Sequence, residues 1–289
     1  MFNIKISNLI KTSIFVFLFT HFTVLFAQDS FGGLALYTVR EDMGKDSKAT
    51  LQAVAEAGYV YIEAAGYENG KFYDYTPQEF KALLRSLNLT PLSSHNSSVS
   101  LDNADKIMAD VKAAGFKYFV VPIPPMGLFK SDSKGMSMKG GAENLADILN
   151  VLGKKANAAG LKLLYHNHDF EFMKDAKGEV VIDYLLEHCD PKFVNFQMDL
   201  YWVTKAGADP VEYFKRYPGR FKIWHVKDMD VQGRFAPVGN GKIDFKRILA
   251  NKNLSGMQYY FVEQDACFNE TPLEAIVISH KVLASIGFK

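Results

Sequence analysis

Four apolar, strand-like segments in the C-terminal half of the chain, LKLLYHNHDFEF, VNFQMDLYW, FKIWHVKDMD and YYFVEQD, each run into a residue able to hold a metal ion or move a proton. These residues are His166, Asp199, His225 and Glu263, one per segment and at matching places. Imidazole nitrogens and carboxylate oxygens brought together from separate strands are the donors a hard or borderline divalent ion takes. A single strand-end histidine is more often a satisfied core or surface group, and a single glutamate more often a cap or an ion-pair member. The recurrence argues for a shared centre. Asp199 and Glu263 also sit within apolar runs, where an ionised carboxylate needs a cation or hydrogen bonds to compensate it. His168 lies two residues beyond His166, and Lys227 two beyond His225, so on a strand each pair shares a face. That suits His168 to acid/base chemistry or to supporting a ligand, and Lys227 to polarising a carbonyl or holding a hydroxyl. An ion pair with Asp228 or Asp265 is the competing role for Lys227.

Such a centre requires the segments to be neighbours. Apolar, β-branched or aromatic runs alternate along the chain with amphipathic stretches that often close on glycine. The first runs are GLALYTVR, YVYIEAAGY, LTPLSSHNS and KYFVVPIPP, and the later ones start at Leu161, Val194, Phe221 and Tyr259. Helices are expected around Ser47–Ala57, after Thr76-Pro77, over Asp102–Ala114, Ala142–Ala159, Val181–His188, Pro210–Tyr217 and Phe245–Ala250, and after Thr271-Pro272. Eight strand–helix pairs predict an α/β fold, a closed (β/α)8 TIM barrel of parallel strands, with a doubly wound open sheet as the alternative. No G-x-G-x-x-G follows the first strand, as the open sheet would usually require. In a barrel, catalytic groups sit at the C-terminal ends of the strands. Glu63 and His95 occupy such positions on the second and third runs and join the candidate catalytic set. Tyr37, Phe129 and Trp202, with Phe172 and Phe268, are aromatics near the expected mouth. Their faces suit a sugar, and rim packing is the competing role. Gly239–Gly241 reads as a turn, with anion binding through its amides as the alternative.

The first 27 residues read as a signal peptide: Lys5 and Lys11 precede an apolar run from Ser13 to Ala27. Cleavage there leaves residues 28–289 as a single domain, 289 − 27 = 262 residues, and takes the formal charge from +1 to −1. A periplasmic or secreted location is expected, with no membrane attachment after cleavage. The near-neutral charge gives no electrostatic case for nucleic acid. Cys189 and Cys267 lie in no Cys-x-x-Cys pattern, which disfavours redox or thiolate-metal chemistry.

Y-H-N-H in the fifth run, D-L-Y-W after the sixth, H-V-K-D with G-N-G-K-I-D-F after the seventh, and V-E-Q-D at the eighth carry a resemblance. The chain resembles the xylose isomerase-like TIM barrel superfamily of sugar (phosphate) isomerases and epimerases. Within it, the chain looks most like the inosose dehydratase-like and 3-keto-glycoside-acting members. The likeness spans essentially everything after residue 27. It implies one divalent ion (manganese, cobalt, zinc or magnesium) held by His166, Asp199, His225 and Glu263. Epimerase and ketose-isomerase members typically carry a glutamate where this chain has His166, and often a histidine where it has Trp202. A two-glutamate proton shuttle is therefore not expected. The resemblance implies a metal-dependent lyase or hydratase acting through an enediolate on a small keto-sugar, either a 3-keto-glycoside or an inosose-like ketone, and the N-terminal segment implies that it is exported. His168 or His95 would remove the proton beside the carbonyl, and Glu63 or Lys227 would assist the leaving oxygen. The alternative is a sugar isomerase or epimerase using the same enediolate. Self-association into a homo-oligomer is left open.

Overall fold

The protein is described from a computed structural model that covers residues 32–288 except 126–127, 133–134, 139 and 175–177. The expected signal peptide, residues 1–27, lies outside the described residues.

Eight parallel strands close into a barrel: β1 (Gly32–Ala35), β2 (Tyr61–Ala64), β3 (Thr90–His95), β4 (Tyr118–Val121), β5 (Lys162–His166), β6 (Val194–Asp199), β7 (Phe221–Val226) and β8 (Tyr259–Val262). They pair in chain order, and β8 returns to β1. The registers align the polar ends: Gln197 sits opposite His166, Asp199 opposite His225, and Glu63 opposite both Ala35 and Ser93. Gly33 is required where β1 squeezes between its neighbours, because a Cβ there would lie 2.6 Å from the Tyr61 carbonyl and from the Phe261 ring.

The connecting helices are α1 (Arg40–Glu56), α2 (Pro77–Ser86), α3 (Ala104–Ala113), α4 (Gly141–Ala158), α5 (Val181–His188), α6 (Leu200–Lys205), α7 (Pro210–Arg216), α8 (Phe245–Ala250), α9 (Lys252–Ser255) and α10 (Pro272–Ser285). Thr76 and Thr271 open α2 and α10 as reciprocal capping boxes with Glu79 and Glu274, each followed by proline. The first helix starts earlier than expected, at Arg40, after a 3-10 turn over Leu36–Val39 that shortens the first strand. Its kink at Asp46 (φ −152°, ψ 92°) explains the expected start near Ser47, since the Asp46 carboxylate accepts from Ala49 N at 2.9 Å and caps the second half. Short antiparallel hairpins at Tyr67–Phe72, Phe129–Met138 and Asp228–Ala236, together with α6 and α9, are additions to the expected element list.

Two apolar layers follow from the alternation of strand side chains. The outward-facing residues pack with the helices into one large core that includes Tyr165, Met198, Trp224 and Val262. Inside the barrel a small plug of Leu92, Tyr118, Val120, Leu164, Ile223 and Phe261 fills the lumen. Among the described residues, no helix is long and apolar enough to cross a membrane.

Candidate active site

The plug sets the site above it. Leu164, Ile223 and Phe261 point inward, and the next inward residues on those strands are His166, His225 and Glu263. On β6, Gln197 and Asp199 follow the same alternation. One ligand-capable atom from each of His166, Asp199, His225 and Glu263 lies within 4.8 Å of the others, and all four side chains are buried. His95, His166 and His225 form an overlapping set.

Asp199 divides its carboxylate between two tasks. Oδ1 accepts from the backbone N–H groups of Tyr201 (2.9 Å) and Trp202 (3.0 Å), capping α6. Oδ2 faces the cluster, 3.9 Å from both His166 Nε2 and His225 Nδ1 and 3.0 Å from Lys227 Nζ, and accepts no well-aligned hydrogen bond among the described residues. Burial pushes the group up to about 6, against the pull of Lys227. A buried carboxylate oxygen that faces two imidazoles and shares one ammonium suits a cation.

His225 lies between two carboxylates, with Nδ1 2.9 Å from Glu263 Oε2 and Nε2 2.5 Å from Glu63 Oε1. Burial would lower its proton affinity, but Glu263 and Glu63 outweigh it and push the imidazole up to about 10. Burial also opposes ionisation of Glu63, and His95 and His225 overcome it, holding that carboxyl well below the usual range. Glu263 is likewise held low by His225 and Lys227 in spite of burial. The two flanking carboxylates therefore favour the protonated form of His225. Were His225 to hold an ion, the Glu63–His225 contact would supply the carboxylate–histidine support that fixes a ligating imidazole.

Beneath this lies a buried network. Glu63 Oε2 accepts from Ser93 Oγ and from Gln197 Nε2, each at 2.6 Å. Gln197 Oε1 lies 2.8 Å from His95 Nε2 and 3.0 Å from His166 Nδ1. His95 Nε2 also lies 3.0 Å from Glu63 Oε1. Burial and the neighbouring histidines His225, His168 and His95 push His166 well below its ordinary value, so it is neutral.

Above the cluster is a cavity of about 300 Å³, walled by Tyr37, Ala65, His95, Pro122, Ile123, His166, His168, Lys227, Glu263 and Asp265. Burial and Lys227 push His168 down to about 4, so it enters the cavity as a neutral imidazole, and its buried Nδ1 meets no partner among the described residues. Its backbone N–H donates to Glu171 Oε2 at 2.8 Å, and Tyr165 Oη donates to Glu171 Oε1 at 2.6 Å, which ties the segment after β5 to the strand. Lys227 Nζ contacts Glu263 Oε2 (2.5 Å), Asp265 Oδ1 (2.9 Å) and Asp199 Oδ2 (3.0 Å), and these carboxylates keep it charged in spite of burial.

Of the residues singled out from sequence, His166, Asp199, His225, Glu263, His95, His168 and Lys227 converge here, and Tyr37 stands at the rim. Glu63 lies underneath the cluster, outside the cavity lining. Trp202 packs against His168 (ring centroids 5.5 Å apart) and beneath the Lys227 ammonium, outside the lining. Phe129 belongs to the hairpin at Phe129–Met138, and its side chain lies outside the described ones. Phe172 packs edge-on to Tyr213, and Phe268 lies under Arg234. Cys189 and Cys267 are unpaired thiols.

Sequence reasoning passed over Gln197, the polar residue two before Asp199 in an apolar strand. Its shared strand face was the available signal. The Gly239–Gly241 turn serves an anion that the chain itself supplies. Asp228 accepts from the N–H groups of Gly239 (2.9 Å) and Gly241 (3.1 Å) through Oδ2, and of Met229 (2.8 Å) and Ile243 (3.2 Å) through Oδ1. Gly241 is obligatory, because a Cβ would overlap the Asp228 carboxylate and come within 2.6 Å of the Met229 carbonyl.

A family model described as xylose isomerase-like TIM barrel matches residues 51–262. An inosose dehydratase of Clostridium tetani is 32% identical over 49% of this chain, a match that spans about half (53%) of that relative's length. An inosose dehydratase of Clostridium perfringens is 24% identical over 84% of this chain and 91% of its own. Among solved structures, a sugar phosphate isomerase/epimerase from Parabacteroides distasonis superposes with a TM-score of 0.76 at 27% identity, covering 92% of this chain and 97% of that one.

Proposed function

The chain belongs to the xylose isomerase-like TIM barrel family, and from that premise we propose that it is an exported, metal-dependent lyase or hydratase acting on a small keto-sugar, of the 3-keto-glycoside or inosose type. The observation that carries this reading is the buried four-residue set His166, Asp199, His225 and Glu263. It sits directly below a cavity lined by two further histidines. The donor set of two imidazoles and two carboxylates fits a divalent ion such as manganese, cobalt, zinc or magnesium. A bound ion would act as a Lewis acid toward a carbonyl oxygen of the substrate.

The remaining work falls to the protein. His168 or His95 accepts the proton from the carbon beside the carbonyl, and the electron pair left behind forms the new carbon–carbon double bond. The bond from the next carbon to its hydroxyl or glycosidic oxygen breaks, and that oxygen leaves with the proton returned by the same histidine, now an imidazolium, directly or through water. The Lys227 ammonium, fixed by three carboxylates, holds a substrate hydroxyl. Glu63 orients His225 instead of meeting the leaving group, since it lies beneath the cavity. The inosose dehydratase relatives support elimination.

The second reading, a sugar isomerase or epimerase, is supported by the isomerase/epimerase relative and by the two proton-transfer groups on one cavity. Incubating ion-loaded and chelated protein with 3-keto-glucosides and simple ketoses, followed by mass spectrometry, separates the two. Elimination yields products that have lost water or an aglycone, only in the loaded sample. Conservation of mass with a changed sugar favours isomerisation, and no turnover in either sample overturns both.

A further inference from the structure

Glu63, the amide of Gln197 and the rings of His95 and His166 form a chain of hydrogen bonds whose direction can be read. Glu63 Oε2 accepts from Ser93 Oγ and from Gln197 Nε2, each at 2.6 Å. The Gln197 group 2.6 Å from it is therefore the NH2, and the carbonyl oxygen must face the two imidazoles. An amide oxygen also only accepts, so both rings must offer it an N–H. For His95 the requirement is doubled, because the same nitrogen also lies 3.0 Å from Glu63 Oε1.

We infer that Gln197 is a positioning residue that fixes the tautomers of His166 and His95. It keeps the proton of His166 on Nδ1 and leaves Nε2 as the ligating atom facing Asp199. It also keeps a proton on His95 Nε2, so that Nδ1 is the atom left to accept a substrate proton. Neutral imidazole otherwise divides between two tautomers, and the wrong one at His166 would aim an N–H at the Asp199 carboxylate and close the ion site. Gln197 is buried on the inward face of β6, between the plug and Asp199, and its three polar partners come from three other strands. The consequence for ion binding rests on the proposed metal centre. The tautomers do not.

The test uses the chelated full-length protein labelled with 15N-histidine, read by long-range proton–nitrogen NMR, with zinc titration in parallel. Wild type should show His166 protonated on Nδ1 and His95 on Nε2. Gln197→Met keeps the volume without the acceptor. It should mix the His166 tautomers and weaken zinc binding roughly 10- to 100-fold, the usual range for loss of an outer hydrogen-bond partner of a ligand. A wild-type His166 protonated on Nε2, or a Gln197→Met protein with unchanged tautomers and zinc affinity, overturns the proposal. If Gln197→Met fails to fold by circular dichroism, the wild-type spectrum decides alone. Each result stands whatever the substrate proves to be.

Discussion

At the scale of single residues, the proton that Glu263 and Glu63 favour on His225 makes stability depend on pH. His225 is pushed up to about 10 in the folded protein against an ordinary value of about 6.5. A group whose folded value is raised contributes stability that is complete below about pH 6.5 and is lost as pH rises through about 10. Chelated protein should therefore melt at progressively lower temperature between those limits, and saturating zinc should flatten the slope. A chelated protein whose melting temperature does not fall across this window removes the imidazolium from the account. His168 has the opposite environment, a neutral ring lining the cavity. His168→Asn should retain the ion and lower turnover by roughly 10²–10⁴, as expected for a lost general acid or base. Near-normal turnover would pass the base to His95, and loss of the ion would make His168 a ligand.

At the scale of elements, the carboxylates that begin loops do as much as those that face the cavity. Asp228 gathers four backbone N–H groups and so shapes the segment from β7 to α8. Asp228→Ala would leave those donors without their acceptor. At about 1–3 kcal/mol for each buried donor that water fails to satisfy, the variant should be markedly destabilised and should be cut by protease first near Gly239. An unchanged melting curve and digestion pattern would contradict this. Much of the site was legible in the sequence because strand alternation is local: once Leu164, Ile223 and Phe261 are read as lumen residues, His166, His225 and Glu263 follow two residues on. Glu63 and Gln197 were harder to read because their meaning is not local. Glu63 meets Gln197 across 134 residues and His225 across 162, and such partners appear only when the barrel closes. The hairpins and α6 escaped for a different reason: they are too short to establish a periodicity.

At the scale of the whole molecule, eight parallel strands in chain order bring chemistry from opposite ends of the sequence onto one face, with no second domain required. The export proposal belongs to this scale. Protein recovered from the native host should begin at or near Gln28, and an intact mass retaining Met1 would overturn export and return phosphorylated sugars to consideration. The chain also contains two tryptophans, and they are unequally placed. Trp224 is sealed in the outer layer, stacked flat on Phe214. Trp202 stands at the start of α6, its backbone N–H on the Asp199 carboxylate and its ring beside His168 and Lys227. The protein thus has a built-in optical probe: zinc or a ligand entering the cavity should shift Trp202 emission over a constant Trp224 background. Trp202→Phe should abolish that change, so that binding can be followed by intrinsic fluorescence before any substrate is known.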